Sequence, residues 1–488
     1  MSEPLDLAVR GGTVVTASDS VRCDIGLRGG RVAILAEDVP DAAEVIDASG
    51  LLVMPGGIDA HCHFSQPSYG GAVCADDFES ATRSALCGGT TTTLSFATQV
   101  AGEPLRDTVA AYLASADGKA MVDYGVHLIL VNATPQVLGQ DLPALIKRGF
   151  TSLKLFMMYD GYHAEDKQII ETLDVANQEG ALVMVHAENH ACIDWLSHKL
   201  VAEGKTRPHH HAQSRPMAVE REATHRAIAL AEVADAPLFV VHVSGREAIE
   251  QIAWAQSHGL PVYGETCPQY LFLTAEDMDR PGFEGAKFMC SPPPRDSANP
   301  EVLWRALTNG TLQILSSDHS PSRFDGPDGK KANGEDAPFT RIANGIPGVE
   351  TRLPLMFSEG VSTGRITASE FVALTSTNPA RMYGLAPAKG TIAVGSDADL
   401  TLWDPQRKTT LFNALLHHNV DFTPYEGREV TGWPVKTIAR GELVWNDGVI
   451  LARPGRGRFL ARGTPEPVLQ HQRRKGLKPG CPPTITMN

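Results

Sequence analysis

GGIDAHCHF, residues 56–64, reads as a short buried strand carrying His61 and His63 two positions apart, so both imidazoles leave the same face. It is the first of a series. Downstream, β-rich runs recur at residues 90–96, 124–131, 152–158, 181–187, 238–243, 262–267 and 312–317, which with 57–64 makes eight candidate strands. Amphipathic helical stretches such as 164–179 and 219–234 separate them. Strands alternating with helices are the pattern of parallel βα units, and the economical way to bury eight such strands is an α/β fold of the (β/α)8 TIM-type barrel. The barrel is placed at residues 55–389.

The two ends of the chain read differently. GGTVVTASDS (11–20), IGLRGGRVAIL (25–35), GTIAVGSDADLTLWDP (390–405) and IARGELVWNDG (438–448) are short alternating strands broken by turns. Neither end has enough residues to cover a sheet alone, so 1–54 and 390–455 are expected to pack together as one small β-sandwich domain. Residues 456–488, rich in Gly, Pro and Arg, read as an extended C-terminal tail. Its basic cluster Arg473, Arg474 and Lys475 suits a solvated tail or one clasping a neighbouring subunit, with contact to an anion as the other reading.

Composition narrows the partners. With 43 Lys+Arg against 57 Asp+Glu the net charge is −14, which repels polyanions, so nucleic acid is not expected as a partner. No apolar run approaches the ~20 residues of a membrane span. The start MSEPLDLAVR has neither the basic end nor the apolar stretch of a signal peptide, so a cytoplasmic protein without membrane contact is expected. Eight cysteines (23, 62, 74, 87, 192, 267, 290 and 481) include no C-x-x-C pair and read as reduced thiols.

Chemistry concentrates at strand ends. His186 closes LVMVH, His242 closes FVVH and Asp318 closes LQILSSD, each at the C-terminal end of a candidate barrel strand, the face on which active sites of this architecture sit. A single histidine closing an apolar strand is ordinarily a satisfied core residue. Four histidines and an aspartate meeting on one rim are instead a set that can hold metal. Lys154, inside the apolar run SLKLFMM, is either salt-bridged, snorkelling to the surface or chemically changed. Two divalent ions would bring about +4 of charge, which neutral imidazoles do not offset and an ammonium opposes. Carboxylated by carbon dioxide, the same amine would be an anionic bridge, and with Asp318 and a hydroxide the local charge falls to about +1.

As a set, PGGIDAHCHF (55–64), TSLKLFMMYDG (151–161), VMVHAEN (183–189), VVHVSG (240–245), ETCPQYL (265–271), CSPPPR (290–295), SSDHSP (316–321) and NGIPGVETRLPL (344–355) resemble, in order and spacing, the dihydropyrimidinases and D-hydantoinases, cyclic amidohydrolases of the amidohydrolase superfamily. The resemblance extends over nearly the whole chain. It implies that His61, His63, carboxylated Lys154 (N6-carboxylysine), His186, His242 and Asp318 hold two zinc ions per subunit, or manganese in their place, bridged by the carbamate and a hydroxide. It also implies that Tyr159, five residues after the lysine, polarises the scissile carbonyl, and that Ser291 and Asn344 grip the ring amide through main-chain groups. Without it, Tyr159 would read as a packing residue and Ser291 and Asn344 as turn formers beside Pro and Gly.

The implied reaction is hydrolytic opening of a small cyclic amide or imide, a 5,6-dihydropyrimidine or hydantoin, to an N-carbamoyl amino acid. The bridging hydroxide attacks, Asp318 transfers the proton, and Tyr159 stabilises the oxyanion. The resemblance further implies a homotetramer with the tail lying on a neighbour. An allantoinase or a dihydroorotase is the alternative within the same chemistry. The collapsin response mediator proteins, assembly proteins of this architecture without the ligands, are the non-enzymatic one. Three loops depart from the common pattern: Ser65, Gln66 and Pro67 after the second histidine; LSFATQV (94–100), which lacks an aspartate after the strand; and Asp160, Gly161, Tyr162 and His163 after Tyr159.

Overall fold

In the computed structural model, which describes residues 4–66 and 71–476, the barrel strands are Gly57–Cys62, Thr90–Thr98, Asp123–Ile129, Ser152–Phe156, Leu182–His186, Leu238–Val240, Val262–Thr266 and Ile314–Leu315. Each pairs in parallel with the next. The ring closes where Cys62 bridges to His319, just past the eighth strand. All eight expected strands are present, and the structure is a TIM-type barrel with an additional sheet domain. The eighth strand is shorter than its apolar run because the chain turns after Leu315 to present Asp318 at a positive φ of 50°.

Alternation along the strands sorts side chains between two cores. Ile58, Leu94, Phe96, Ile129, Met184, Phe239 and Ile314 fill the barrel interior. Leu128, Leu153, Leu155, Val183, Val185 and Val240 face outward into a larger core that includes helix residues such as Ile169, Leu173, Ala227 and Ile252. Fully buried Arg352 donates to Leu315 O (2.9 Å) and Thr90 Oγ1 (3.1 Å), with Nε 3.4 Å from Asp59 Oδ2. This guanidinium joins strands one, two and eight at the seam where the ring closes.

The chain ends build two further sheets. Arg31–Ala36, Asp24–Arg28, Leu5–Arg10 and Ala42–Asp47 form one of four strands. The other, of seven strands, joins both ends, because Leu400–Thr410 pairs antiparallel with Leu52–Pro55. Leu7, Val9, Ile25 and Val32 from the first sheet share a core with Val14, Val53, Leu400, Leu402 and Ile438 from the second.

The C-terminal stretch is not extended throughout. Residues 457–462 run beneath the barrel, where Tyr124 N donates to Arg458 O and Leu460 N to Tyr124 O, and buried Arg462 donates to Ser152 Oγ and Val126 O. Glu466–Arg474 is then a helix with Pro467 in its first turn. Val468 reaches the core, and Gln472 and His471 donate to Asn177 O and Asp235 O. The run EPVLQHQRR carries only two adjacent aliphatic residues among polar ones, too few to repeat an apolar face, so the composition read as tail. Of the basic cluster, Lys475 pairs with Asp235 at 2.8 Å. Among the described residues no helix is long and apolar enough to cross a membrane, and no disulfide forms. Pro67 and Cys481 lie outside the described residues.

Candidate active site

Register places the lysine. Lys154 pairs with Ile129 on one side and Met184 on the other, both inward-facing, so its side chain enters the barrel. It is 1% exposed. Its Nζ lies 3.4 Å from His61 Nε2 and about equally far from the rings of Phe96 (5.0 Å) and Phe156 (5.2 Å). No carboxylate pairs with it among the described residues, and burial pulls its pKa down to about 8.

The other expected ligands surround it. His61 Nε2 and His63 Nε2 each lie 3.3 Å from Asp318 Oδ1. The rings of His186 and His242 meet edge to face at 4.5 Å, and His242 is 5.4 Å from His61. All six side chains thus meet at the C-terminal end of the barrel. Burial lowers the pKa of His61, His186 and His242, leaving neutral imidazoles with lone pairs to offer. Burial opposes ionisation of Asp318, but its polar surroundings, a hydrogen bond from His63 and the Lys154 ammonium among them, outweigh it and keep the carboxyl below its usual range.

The second ring nitrogens are held by residues the sequence reading did not single out. His61 Nδ1 is hydrogen-bonded to Glu265, which also accepts from Ser316 Oγ at 2.7 Å. Within this buried pair, burial pushes the Glu265 carboxyl up and the His61 imidazole down. His186 Nε2 pairs with Glu188 at 2.7 Å, and Arg215 Nη1 reaches the same carboxylate oxygen at 2.7 Å. Burial works against ionisation of Glu188, yet Arg215 and His186 together hold it at about 2. His63 Nδ1 meets Gln66 Oε1 at 2.6 Å, and Gln66 donates onward to Phe96 O. Gln66, noted above only as a departure in a loop, therefore orients one of the histidines.

These residues fit a metal centre. One donor atom each from His61, His63 and Asp318 falls within 4.8 Å of the others. His242 Nδ1 is buried without a hydrogen-bond partner, a costly state for a ring nitrogen that nothing else satisfies. Histidines whose far nitrogen is tied to a carboxylate, as in His61 and His186, have the arrangement of metal-ligating imidazoles.

Tyr159, Ser291 and Asn344 line the same pocket, Tyr159 with its ring 5.6 Å from that of His186, and Gln66, Cys74, Thr98, Ile129, Phe156 and Tyr162 complete much of the wall. Burial raises the Tyr159 hydroxyl to about 12, against the pull of Arg215 and a hydrogen bond with Ser291. The Arg215 guanidinium lies 5.9 Å from the centroid of its ring. Four non-glycine residues at this mouth have left-handed backbone: Ser65 (49°), Tyr159 (77°), His242 (38°) and Asp318 (50°). Each costs about 1–3 kcal/mol of strain, and such strain collects where side chains must be aimed against local preference.

Relatives bear on this arrangement. The model of the amidohydrolase family matches residues 52–444. The D-hydantoinase of Geobacillus stearothermophilus is 46% identical over 457 residues, covering 93% of this chain and 96% of its own. Among solved structures, a dihydropyrimidinase from Brevibacillus agri superposes with a TM-score of 0.91 at 45% identity, over 94% of this chain and 99% of that one. An L-hydantoinase (dihydropyrimidinase) from Arthrobacter aurescens gives 0.86 at 30% identity, over 94% and 100%. Likeness over almost the full length of both chains, on a barrel whose rim gathers these side chains, means that this chain belongs to the amidohydrolase family, among its dihydropyrimidinase and hydantoinase members, and is a cyclic amidohydrolase.

Proposed function

We propose that this enzyme opens uncharged five- and six-membered cyclic amides and imides, hydantoins and 5,6-dihydropyrimidines, to N-carbamoyl amino acids. The observation that carries the reading is the convergence of His61, His63, Lys154, His186, His242 and Asp318 on one rim, beside a pocket that Tyr159, Ser291 and Asn344 also line. The same six side chains argue against a purely scaffolding role. In this reading the six are ligands to two zinc ions, with manganese as the alternative, and Lys154 carries the carbamate formed when its amine adds to carbon dioxide and releases a proton. A bound metal pair supplies water acidified toward neutral pH and a Lewis acid for the ring carbonyl. The enzyme is further proposed to be a cytoplasmic homotetramer.

The remaining chemistry belongs to the chain. Asp318, ionised and held at the rim, takes a proton from the attacking water and returns it to the ring nitrogen as the C–N bond breaks. The Tyr159 hydroxyl, kept protonated by burial, donates to the oxygen on which negative charge develops. Main-chain groups of Ser291 and Asn344 hold the ring amide so that its carbonyl carbon faces the attack. Tyr159→Phe is therefore expected to slow the chemical step by about 10² to 10³, the loss of one oxyanion donor. Single-turnover rates measure it, and a change confined to KM would reduce the tyrosine to a packing role.

Charge in the pocket sets the ring. A substrate bearing its own carboxylate, as dihydroorotate does, needs a cation, and desolvating that carboxylate without one costs several kcal/mol. The position where dihydroorotases are expected to carry an arginine is Ser65. No arginine lines the pocket among the described residues, and Lys154 is committed to the rim. Turnover of dihydrouracil, hydantoin, allantoin, succinimide and dihydroorotate tests the proposal. The expected result is kcat/KM for dihydrouracil or hydantoin at least ~10³ above dihydroorotate. Comparable turnover of dihydroorotate would reassign the chain to that alternative.

A further inference from the structure

Lys330 lies outside every role assigned so far. It is 1% exposed, and no acid pairs with it among the described residues. Its Nζ donates instead to the carbonyl oxygens of Ala343 (2.8 Å) and Gly345 (2.9 Å). Burying an ammonium against neutral carbonyls is costly, and a loop needing only closure could be tied by its own main chain. The two carbonyls are those on either side of Asn344, which lines the substrate pocket.

The surrounding backbone is already tightly held. Gly345 N donates to Met289 O at 2.9 Å, joining the segment of Asn344 to that of Ser291, and Ser320 N donates to Ile346 O. Gly345 has φ +105°, and a Cβ there would sit 2.0 Å from Ser320 O, so the chain passes where only glycine fits. Lys330 closes the remaining side. The Ala343 carbonyl and the Asn344 N–H also belong to one peptide group, so a donor or cation on that oxygen makes the N–H a stronger donor.

We propose that Lys330 is a positioning residue for the reaction: by donating to the carbonyls flanking Asn344, it aims and polarises the main chain that grips the ring amide. This rests on the reading of Asn344 as a substrate-binding residue. Burial pulls the ammonium down to about 7, while the two carbonyl dipoles favour the charged form, and either form keeps N–H donors for both. The side chain touches none of the rim ligands, so its removal is not expected to disturb metal binding.

The test uses the metal-loaded enzyme, the ring of the panel it turns over best, and the variants Lys330→Met and Lys330→Gln. Methionine keeps the stem and loses both donors, and is expected to raise KM about tenfold with kcat changed less than about threefold and metal content unaltered. Glutamine retains a donor group, and an intermediate KM is expected. If Lys330→Met fails to fold, Lys330→Gln is read alone, a raised KM at full metal content supporting the proposal. Wild-type KM in the folded variant overturns it, as does a loss that follows loss of bound metal. Failure of the underlying reading looks different, because then the wild-type enzyme itself opens no ring of the panel.

Discussion

Lys154→Ala is expected to yield a folded protein that has lost at least one metal ion per chain and nearly all turnover. The side chain sits inside the barrel between Phe96 and Phe156, with its nitrogen 3.4 Å from His61. Shortening it leaves a cavity, which costs stability, and in the proposed reading it also removes the carbamate ligand, so the stabilisation given by bound metal is lost with it. The outward core against the helices and the core shared by the two further sheets are untouched. The loss should therefore appear in metal content, measured on purified protein, while thermal unfolding should differ only modestly from that of metal-free wild type. Two ions retained at wild-type rates would end the carboxylated-lysine proposal. A companion measurement separates carbamate from amine: metal-free protein should recover activity faster when zinc is supplied with bicarbonate, and equal recovery in carbon-dioxide-free buffer counts against the modification.

The second large effect is expected from Asp318→Asn, a fall in kcat of about 10² to 10⁴ with a much smaller change in KM, since the residue acts on the proton in flight. Asparagine is the informative replacement because Asp318 has φ 50°, and Asn tolerates the left-handed region as Asp does. The amide keeps the size and one acceptor oxygen near His61 and His63 while losing the base. Metal analysis alongside the kinetics tells loss of proton transfer from loss of a ligand. A variant with full metal content and wild-type kcat would remove Asp318 from the proton path.

The legible part of this protein was what neighbours in the chain decide. The short, mostly apolar β-rich runs marked the barrel strands, and His186, His242 and Asp318 stood out because each ends such a run. Lys154 was visible as a charge where the pattern demanded an apolar residue. Glu188, two positions after His186, and Glu265, the last residue but one of VYGET, carried a weaker signal of the same kind: an acid near a buried strand end asks for a partner. The requirement that each buried histidine satisfy both ring nitrogens could have pointed to them. Gln66 was noticed only as a departure from the common loop, and Arg215 and Lys330 had no local signal at all.

By itself, then, the sequence determined the order of strands and helices, the end of the barrel on which chemistry gathers, and the identity of the residues on that rim, because periodicity and strand ends are local properties. Only the tertiary structure decided which groups meet. His61 and Glu265 are 204 residues apart, and Arg352 and Thr90 are 262 apart. Such pairs exist because closing eight strands into a ring brings the first strands close to the last ones and to the segment after them, and closure depends on the packing of all of them together. The C-terminal helix has the same cause: with a single aliphatic residue reaching the core, it is held by the barrel surface it covers rather than by its own pattern.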